Sequence, residues 1–243
     1  MFEPTKVAKL CGWALLAAAP GLVTAQGIID CPLRDEPYSI DSPLGDVLMK
    51  REAEAALERE APSLIEGTEP RFISTVPPTF AAITTPRSAA TSMQLPPERL
   101  EALDRALRAL PISAEDKQAR CARYDIDPPR IVVPKGKPRL LVFEKITGFH
   151  HGPSVEAASA ALRAMAERNK WALVLTDKAG AFTPETLKQF DAVIWNNVSG
   201  DVLTLSQRQA FRDYIEKGGG FAGLHGSGGD PVYFWDWYAD TLI

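Results

Sequence analysis

The stretch RLLVFEKITGFHHGPSVEAASAALRAMAERNKWALVLTD, residues 139–177, decides the fold class. It begins with a short apolar run after Pro138, continues with apolar residues at helical spacing over residues 153–169, and ends in a second apolar run at residues 171–177. The two runs have the length and composition of buried strands, and the middle has the period of a helix. This order predicts one unit of a parallel sheet.

The same alternation continues toward the C-terminus. Apolar runs at residues 191–197 and 220–226 predict two more strands, and residues 183–190 and 205–218 predict the helices that precede them. Nearly continuous apolar strands are typical of parallel sheets that helices cover on both faces. Residues 138–243 are therefore expected to form an α/β domain.

Residues 26–130 have a different pattern and are expected to form a small helical and loop-rich segment. Helical spacing is present over residues 41–62, where Ser42 or Asp41 could cap the helix. A second helix at residues 96–111 carries a leucine stripe, which favours packing inside the protein over binding to a partner. Between the two helices, the chain is rich in Pro, Thr and Ser and is predicted to be irregular.

Composition limits the classes of partner. The 243 residues carry a formal net charge of -4, with 45% hydrophobic and 24% charged residues, as in ordinary globular proteins. There is no basic excess that would attract nucleic acid, so no nucleic-acid partner is expected. The oligomeric state is not predicted.

Residues 1–25 have the pattern of a secretory signal peptide. Lys6 and Lys9 precede an apolar stretch, and small residues at positions 23–25 predict cleavage before Gln26. A membrane anchor is disfavoured because Pro20 and Gly21 interrupt the run, which is shorter than the about 20 residues that a spanning helix needs. We therefore expect a periplasmic or secreted protein with no stable membrane anchor.

Cleavage would leave Cys31 and Cys121 as the thiols of the mature chain. In an oxidising compartment such a pair favours a disulfide, since two thiolates without nearby histidines do not complete a tetrahedral metal site. Two unpaired buried cysteines are the alternative.

All three histidines fall where predicted strands end. His150 and His151 follow the first strand, and His225 follows the fourth. Ligands of α/β sheets bind outside the carboxyl ends of the strands, where the strand order reverses. Imidazole is the natural acid–base group near neutral pH, and the carboxylates of Asp201 and Asp230 in neighbouring loops could orient it or act as its partner acid. These five residues are the predicted catalytic set.

Polar and aromatic residues in the same loops predict sugar binding, because amides and hydroxyls hold sugar hydroxyl groups and aromatic rings pack against them. The predicted substrate-binding residues are Phe149, Asn196, Asn197, Ser199, Ser227, Trp235 and Trp237. The asparagines could instead cap turns, Asp201 could begin a local turn, and the tryptophans could pack against the remainder of the domain that is expected beyond residue 243.

A divalent metal ion bound by His150, His151, His225 and Asp230 is a second hypothesis. Adjacent histidines on an extended chain point apart, so only one of the pair would ligate together with His225, which leaves the shell incomplete. We therefore assign no metal ligands, and a divalent cation remains the one cofactor alternative. A third hypothesis is a non-catalytic sugar-binding module.

Residues 138–243 resemble the trehalose-utilisation (ThuA-like) family. The resemblance rests on VFEKITGFHHGPSVEAA, on FDAVIWNNVSGDVLTLSQRQAFRDYIEKGGGFAGLHG and on WDWY at residues 235–238. It implies a flavodoxin-like domain similar to class I glutamine amidotransferases, and a role in the metabolism of trehalose or a related, oxidised sugar. Family domains extend further, so the resemblance also implies that the domain is incomplete at residue 243.

One departure from the amidotransferases limits the chemistry. They hold a nucleophilic cysteine in a G-x-C-x-G turn, and the corresponding stretch here is Gly223-Leu224-His225-Gly226-Ser227. A thioester needs a thiolate, so glutamine hydrolysis by that route is excluded. Ser227 lies two residues beyond the strained position, which disfavours a serine nucleophile. The expected partner is a small carbohydrate, and a sugar isomerase, lyase or hydrolase would use the remaining groups.

Overall fold

A computed structural model describes residues 29–228 and 235–243 of the chain. The predicted signal peptide, residues 1–25, and Asp230 lie outside the described residues. Residues 29–137 form a helical part, and residues 138–228 with 235–243 form an α/β part. No helix within these described ranges is long and apolar enough to cross a membrane.

The helical part has short helices joined by tight turns. Its α-helices are α1 (Leu44–Met49), α2 (Arg51–Glu60), α3 (Pro70–Ile73), α4 (Pro86–Met93), α5 (Pro97–Arg108) and α6 (Ala114–Cys121). One-turn 3-10 helices lie at Pro62–Leu64 and Phe80–Ala82. The leucine stripe of α5 packs inward as predicted, with Leu103 and Leu107 fully buried in an apolar cluster that includes Val47 and Leu57.

Two details of this part differ from the sequence-based expectation. The helix predicted over residues 41–62 is broken at Lys50, which is extended, and its ammonium pairs with Asp116 of α6 at 2.9 Å. This tertiary contact outweighs the local helix propensity. Residues 63–94, expected to be irregular, contain α4, which a reciprocal capping box between Thr85 and Ser88 begins.

The α/β part is a parallel sheet, as predicted. Its strands are β1 (Arg139–Phe143), β2 (Ala172–Thr176), β3 (Ala192–Asn196) and β4 (Gly220–Leu224). They lie in the order β2-β1-β3-β4, and every neighbouring pair is parallel. The helices are α7 (Gly152–Asn169), α8 (Pro184–Leu187), α9 (Leu205–Glu216) and α10 (Asp236–Leu242). This is an α/β architecture of the flavodoxin-like kind, with the strand order reversing between β1 and β3.

Alternation along the strands sends side chains to two helical layers. On one face, Phe143 and Trp195 pack with Phe211 of α9 in the main apolar cluster. On the other face, Asn196 donates hydrogen bonds to the Val155 carbonyl and the Ser159 hydroxyl of α7. The helices therefore cover both faces, and the carboxyl ends of all four strands meet at one edge.

A disulfide and several hydrogen bonds fix the helical part on this α/β layer. Cys31 and Cys121, both buried, are bonded to each other with 5.5 Å between their Cα atoms. Immediately before Cys31, the Asp30 carboxylate accepts a hydrogen bond from the Ser206 amide at 2.8 Å, in the first turn of α9. Near the other end of the junction, the Thr79 amide donates to the Thr147 carbonyl at 3.0 Å. The loop after β1 is thus held by the helical part.

Candidate functional site

The imidazoles of His151 and His225 meet at the carboxyl edge of the sheet. Their ring centroids lie 5.2 Å apart, and the Phe149 ring lies 5.9 Å from that of His151 and 6.3 Å from that of His225. Both histidines are exposed and Phe149 is half-buried. Loops that follow the first and the last described strand thus place two proton-carrying groups beside one aromatic face.

The backbone at His225 turns sharply out of β4. Its φ of 52° lies in the left-handed region, which histidine tolerates better than most residues that have a Cβ. A one-turn helix over His225–Gly228 follows directly. Strained backbone of this kind clusters at functional sites. The imidazole thus lies on a sharp turn directly after β4.

The loop that carries Phe149 is held by close backbone contacts with the loop after β3. The Ser199 hydroxyl accepts a hydrogen bond from the Phe149 amide at 2.8 Å, and the Ser199 carbonyl accepts one from the Thr147 amide at 2.8 Å. A Cβ on Gly148 would lie 2.5 Å from Ile83 Cγ2, and one on Gly200 would lie 2.3 Å from Thr147 Oγ1. Ser199, predicted to bind substrate, is fully buried and positions this loop in the structure.

His150 faces elsewhere. It lines a cavity of about 680 Å³ together with Pro78, Glu144, Arg163 and Thr176, and neither His151 nor His225 is part of that lining. Adjacent residues on an extended chain point apart, which accounts for the separation of the neighbouring imidazoles. The structure therefore brings together two of the three histidines.

Asn196 and Asn197 lie in a buried hydrogen-bond network beneath the edge. Asn196 Nδ2 donates to Glu144 Oε1 at 2.8 Å, Ser159 donates to the same carboxylate oxygen, and Asn197 Nδ2 donates to Asn196 Oδ1 at 2.7 Å. Both asparagines are almost fully buried. Glu144 was not among the residues predicted from the sequence. Its position, as a charged residue directly after the apolar run RLLVF, is the signal that could have indicated it.

Asp201 is part of a buried ion pair with Arg208 of α9. Its Oδ1 accepts a hydrogen bond from Arg208 at 2.7 Å, and the two side chains are 4% and 8% exposed. The pair lies against the helical part, where burial raises the pKa of Tyr124 well above its ordinary value and the negative charge of Asp201 raises it further. In this structure Asp201 joins the two parts of the chain.

Ser227, Trp235 and Trp237 also pack within the α/β part. The Ser227 hydroxyl donates to the Trp195 carbonyl at 3.0 Å and accepts from the Val198 amide at 2.9 Å. The two indoles lie 5.3 Å apart, each within 6.4 Å of the Phe211 ring of α9. Among residues 29–228 and 235–243, no ring contact joins either tryptophan to a histidine.

Two residues of the helical part extend the aromatic surface of the site. The Phe80 ring lies 5.2 Å from that of Phe149, and the Phe72 ring lies 4.8 Å from that of Phe80. Sequence reasoning missed both, because nothing in residues 63–94 indicates which sheet edge they reach. In the described part of the chain, no group of three or more His, Cys, Asp or Glu side chains is arranged to hold a metal ion.

Comparison with known proteins finds one family that the α/β part resembles. Residues 139–243 match the family ThuA, trehalose utilisation. A ThuA-like protein from Bacteroides uniformis has a solved structure that aligns with 23% sequence identity and a TM-score of 0.36, and the aligned part covers 46% of this chain and 46% of that chain. No curated protein matches the sequence. Over residues 139–243, the chain is therefore similar to the ThuA trehalose-utilisation family.

Proposed function

We propose that the protein is an exported enzyme of carbohydrate metabolism in which His151 and His225 act as an acid–base pair. The observation that carries the proposal is the 5.2 Å separation of the two imidazole rings at the edge of the sheet. The family of residues 139–243 supports a role connected with trehalose utilisation in broad terms. Export is supported by the signal-like residues 1–25 and by the Cys31–Cys121 disulfide.

The reaction that fits these groups is proton transfer next to the carbonyl group of an oxidised sugar. One imidazole removes the proton from the carbon beside the carbonyl, and the other, protonated, donates to the carbonyl oxygen, which gives an enediol. Isomerisation is completed when the former carbonyl carbon takes up a proton and the hydroxyl group on the neighbouring carbon gives up its proton to an imidazole, so that the carbonyl group moves to that carbon. Elimination is completed instead when a substituent leaves the next carbon and takes up a proton, while the enol hydroxyl group gives up its proton to an imidazole and the carbonyl group re-forms. Neither outcome needs a nucleophile.

Phe149 supplies the apolar surface for the sugar ring. It is half-buried, lies beside both imidazoles and is fixed by the hydrogen bond from its amide to Ser199. The C–H face of a pyranose packs favourably on an aromatic ring, since both surfaces leave water. Stacking there would present the edge of the sugar to the two histidines.

The experiment that tests the proposal measures solvent deuterium entering the sugar. The full-length protein is incubated in deuterated buffer with disaccharides and with their keto derivatives, and exchange beside the carbonyl is followed by NMR. We expect exchange with a keto sugar, reduced by about 100-fold or more in His225→Gln and in His151→Gln. His150→Gln is the matched control and should exchange at the wild-type rate, because its ring lines a different cavity.

The same assay separates the proposal from its alternatives. A sugar-binding module without catalysis would bind the keto sugar in calorimetry and show no exchange in the wild-type protein, which would refute the acid–base pair. Exchange that disappears on treatment with a chelator and returns with a divalent cation would favour the metal-dependent alternative instead.

A further inference from the structure

We propose that Phe72 and Phe80 form a second sugar subsite, with Arg71 at its border, so that the helical part of the chain selects a disaccharide over a monosaccharide. The inference rests on the proposed function, because it assumes that one sugar unit reacts at His151 and His225. It assigns a role in binding to residues outside the family match, which begins at residue 139.

The first support is the continuity of the aromatic surface. Successive rings from Phe72 through Phe80, Phe149 and His151 to His225 have centroid separations of 4.8, 5.2, 5.9 and 5.2 Å. The three phenylalanines are half-buried, so each leaves part of its ring open to solvent. A ligand that contacts Phe149 therefore has the further aromatic surface of Phe80 within reach.

The second support is that this surface is fixed to the reacting edge. The Thr79 amide donates to the Thr147 carbonyl at 3.0 Å, and the Thr79 hydroxyl donates to the Arg71 carbonyl at 3.3 Å. Thr79 is 4% exposed. One buried threonine thus joins the turn of Phe80, the helix of Phe72 and the loop of Phe149. A pre-organised surface binds with a smaller entropic cost than one that must order on binding.

The third support is the charged pair of Arg71 and Glu69 beside the aromatic surface. The Arg71 guanidinium lies 4.9 Å from the Phe72 ring centre and 6.0 Å from that of Phe80, and it pairs with Glu69 at 2.9 Å. Both charged side chains are more than 60% exposed, at 63% and 66%. Apolar faces bordered by exposed donors and acceptors match a sugar ring, which has C–H groups on its faces and hydroxyl groups at its rim.

The test compares trehalose with glucose by calorimetry on the full-length protein. We expect the wild-type protein to bind the disaccharide about tenfold more tightly than the monosaccharide, as one added stacking contact predicts. Phe80→Leu, which keeps an apolar side chain but removes the flat ring, and Phe72→Ala should bring the two affinities close together without changing the affinity for glucose. Met93→Ala, which truncates an exposed side chain of the same helical part, is the control and should keep the wild-type preference.

The outcomes distinguish this inference from the proposed function. A wild-type protein that binds neither sugar nor any keto derivative would overturn both. A protein that prefers the disaccharide and keeps that preference in both phenylalanine variants would overturn the second subsite alone, as would equal binding of the two sugars by the wild-type protein. Should Phe80→Leu lose its thermal unfolding transition, Phe72→Ala decides, because no ring contact joins Phe72 to Phe149 among the described residues.

Discussion

Asp125 Oδ1 accepts a hydrogen bond from the Gly180 backbone amide at 2.9 Å, and so the end of the helical part holds the loop that follows β2. The other carboxylate oxygen pairs with Lys145 directly after β1. The backbone carbonyl of Asp125 also accepts from Gln207 of α9 at 2.7 Å. Asp125 thus contacts three places in the α/β part: the loop after β2, the loop after β1 and helix α9.

Replacement of Asp125 by Asn is expected to lower the free energy of unfolding by about 1–2 kcal/mol, because the charge-assisted hydrogen bond from Lys145 is lost. The hydrogen bond from the Gly180 backbone amide can persist, since the Asn side chain keeps an acceptor oxygen. Urea unfolding followed by circular dichroism measures the change. Asp127→Asn, at a nearby exposed position, is the control and should unfold like the wild-type protein. Equal effects in both variants would contradict the structural role of Asp125.

The contribution of Asp125 should depend on pH. Burial alone would raise the pKa of this carboxyl, but the hydrogen bonds from Lys145 and from the Gly180 amide outweigh it and leave the pKa below its ordinary value. A group with a lowered pKa in the folded state contributes stability above its unfolded pKa, near pH 4, and loses it as the pH falls through the folded pKa. The difference between wild type and Asp125→Asn should therefore be constant near neutral pH and shrink below about pH 4. A difference that grows toward acid pH would contradict this sign.

Two arginines of α9 allow the contribution of a buried ion pair to stability to be compared with that of an exposed one. Arg208 pairs with Asp201 at 2.7 Å and stacks on Trp235, whereas Arg212 pairs with Glu216 at 2.6 Å and stacks on Trp237. The side chains of Arg208 and Asp201 are 8% and 4% exposed, and those of the other pair are about half exposed, at 47% and 53%.

Substitution of Arg208 by Met should cost about 3–5 kcal/mol, because it leaves the Asp201 carboxylate buried without its partner. Arg212→Met should cost no more than about 0.5 kcal/mol. Chemical unfolding of both variants measures the difference. Similar values for the two would show that Asp201 is better solvated than the structure indicates.

The disulfide between Cys31 and Cys121 should stabilise the fold mainly by restricting the unfolded chain, since the two residues are 90 positions apart. The double variant Cys31→Ser with Cys121→Ser is expected to lose about 2–5 kcal/mol of unfolding free energy. Adding reductant should destabilise the wild-type protein and leave the double variant unchanged. If reductant leaves the unfolding curve of the wild-type protein unchanged, the disulfide between Cys31 and Cys121 would be refuted.

Gly148 should be intolerant of any side chain. A Cβ there would lie 2.5 Å from Ile83 Cγ2 and 2.6 Å from Ser199 Oγ, so Gly148→Ala is expected to displace the loop of Phe149 and cost about 1–3 kcal/mol. The keto-sugar exchange rate should fall with it. Gly152→Ala is the control, since the nearest atom to its Cβ would be 3.9 Å away. Wild-type stability and exchange in Gly148→Ala would contradict the close contact.

Local pattern was sufficient where burial alone decides the structure. The apolar runs that became β1 and β3 are mostly buried, so their composition indicated strands. The rule that ligands bind at the carboxyl edge anticipated that His151 and His225 lie close together. The same rule could not separate His150 from His151, because only the direction of each side chain distinguishes them.

Contacts between residues that are distant in the sequence could not be predicted from local sequence patterns. The break at Lys50 depends on Asp116, and the position of Asp201 depends on Arg208 and on the neighbouring helical part. Phe80 reaches the site because Thr79 pairs with Thr147, a contact between segments that share no periodicity. Each of these depends on which distant segment packs beside the residue, and that information is absent from the local sequence.

The hydrogen bond from Thr79 to Thr147 joins two separate stretches of polypeptide, for which we propose ligand selection and acid–base chemistry, respectively. His151 and His225 lie in loops that follow strands of the sheet, while Phe72 and Phe80 belong to short helices whose apolar cluster is separate from that of the α/β part. We therefore expect substitution of Phe72 or Phe80 to alter ligand choice while His151 and His225 stay in place.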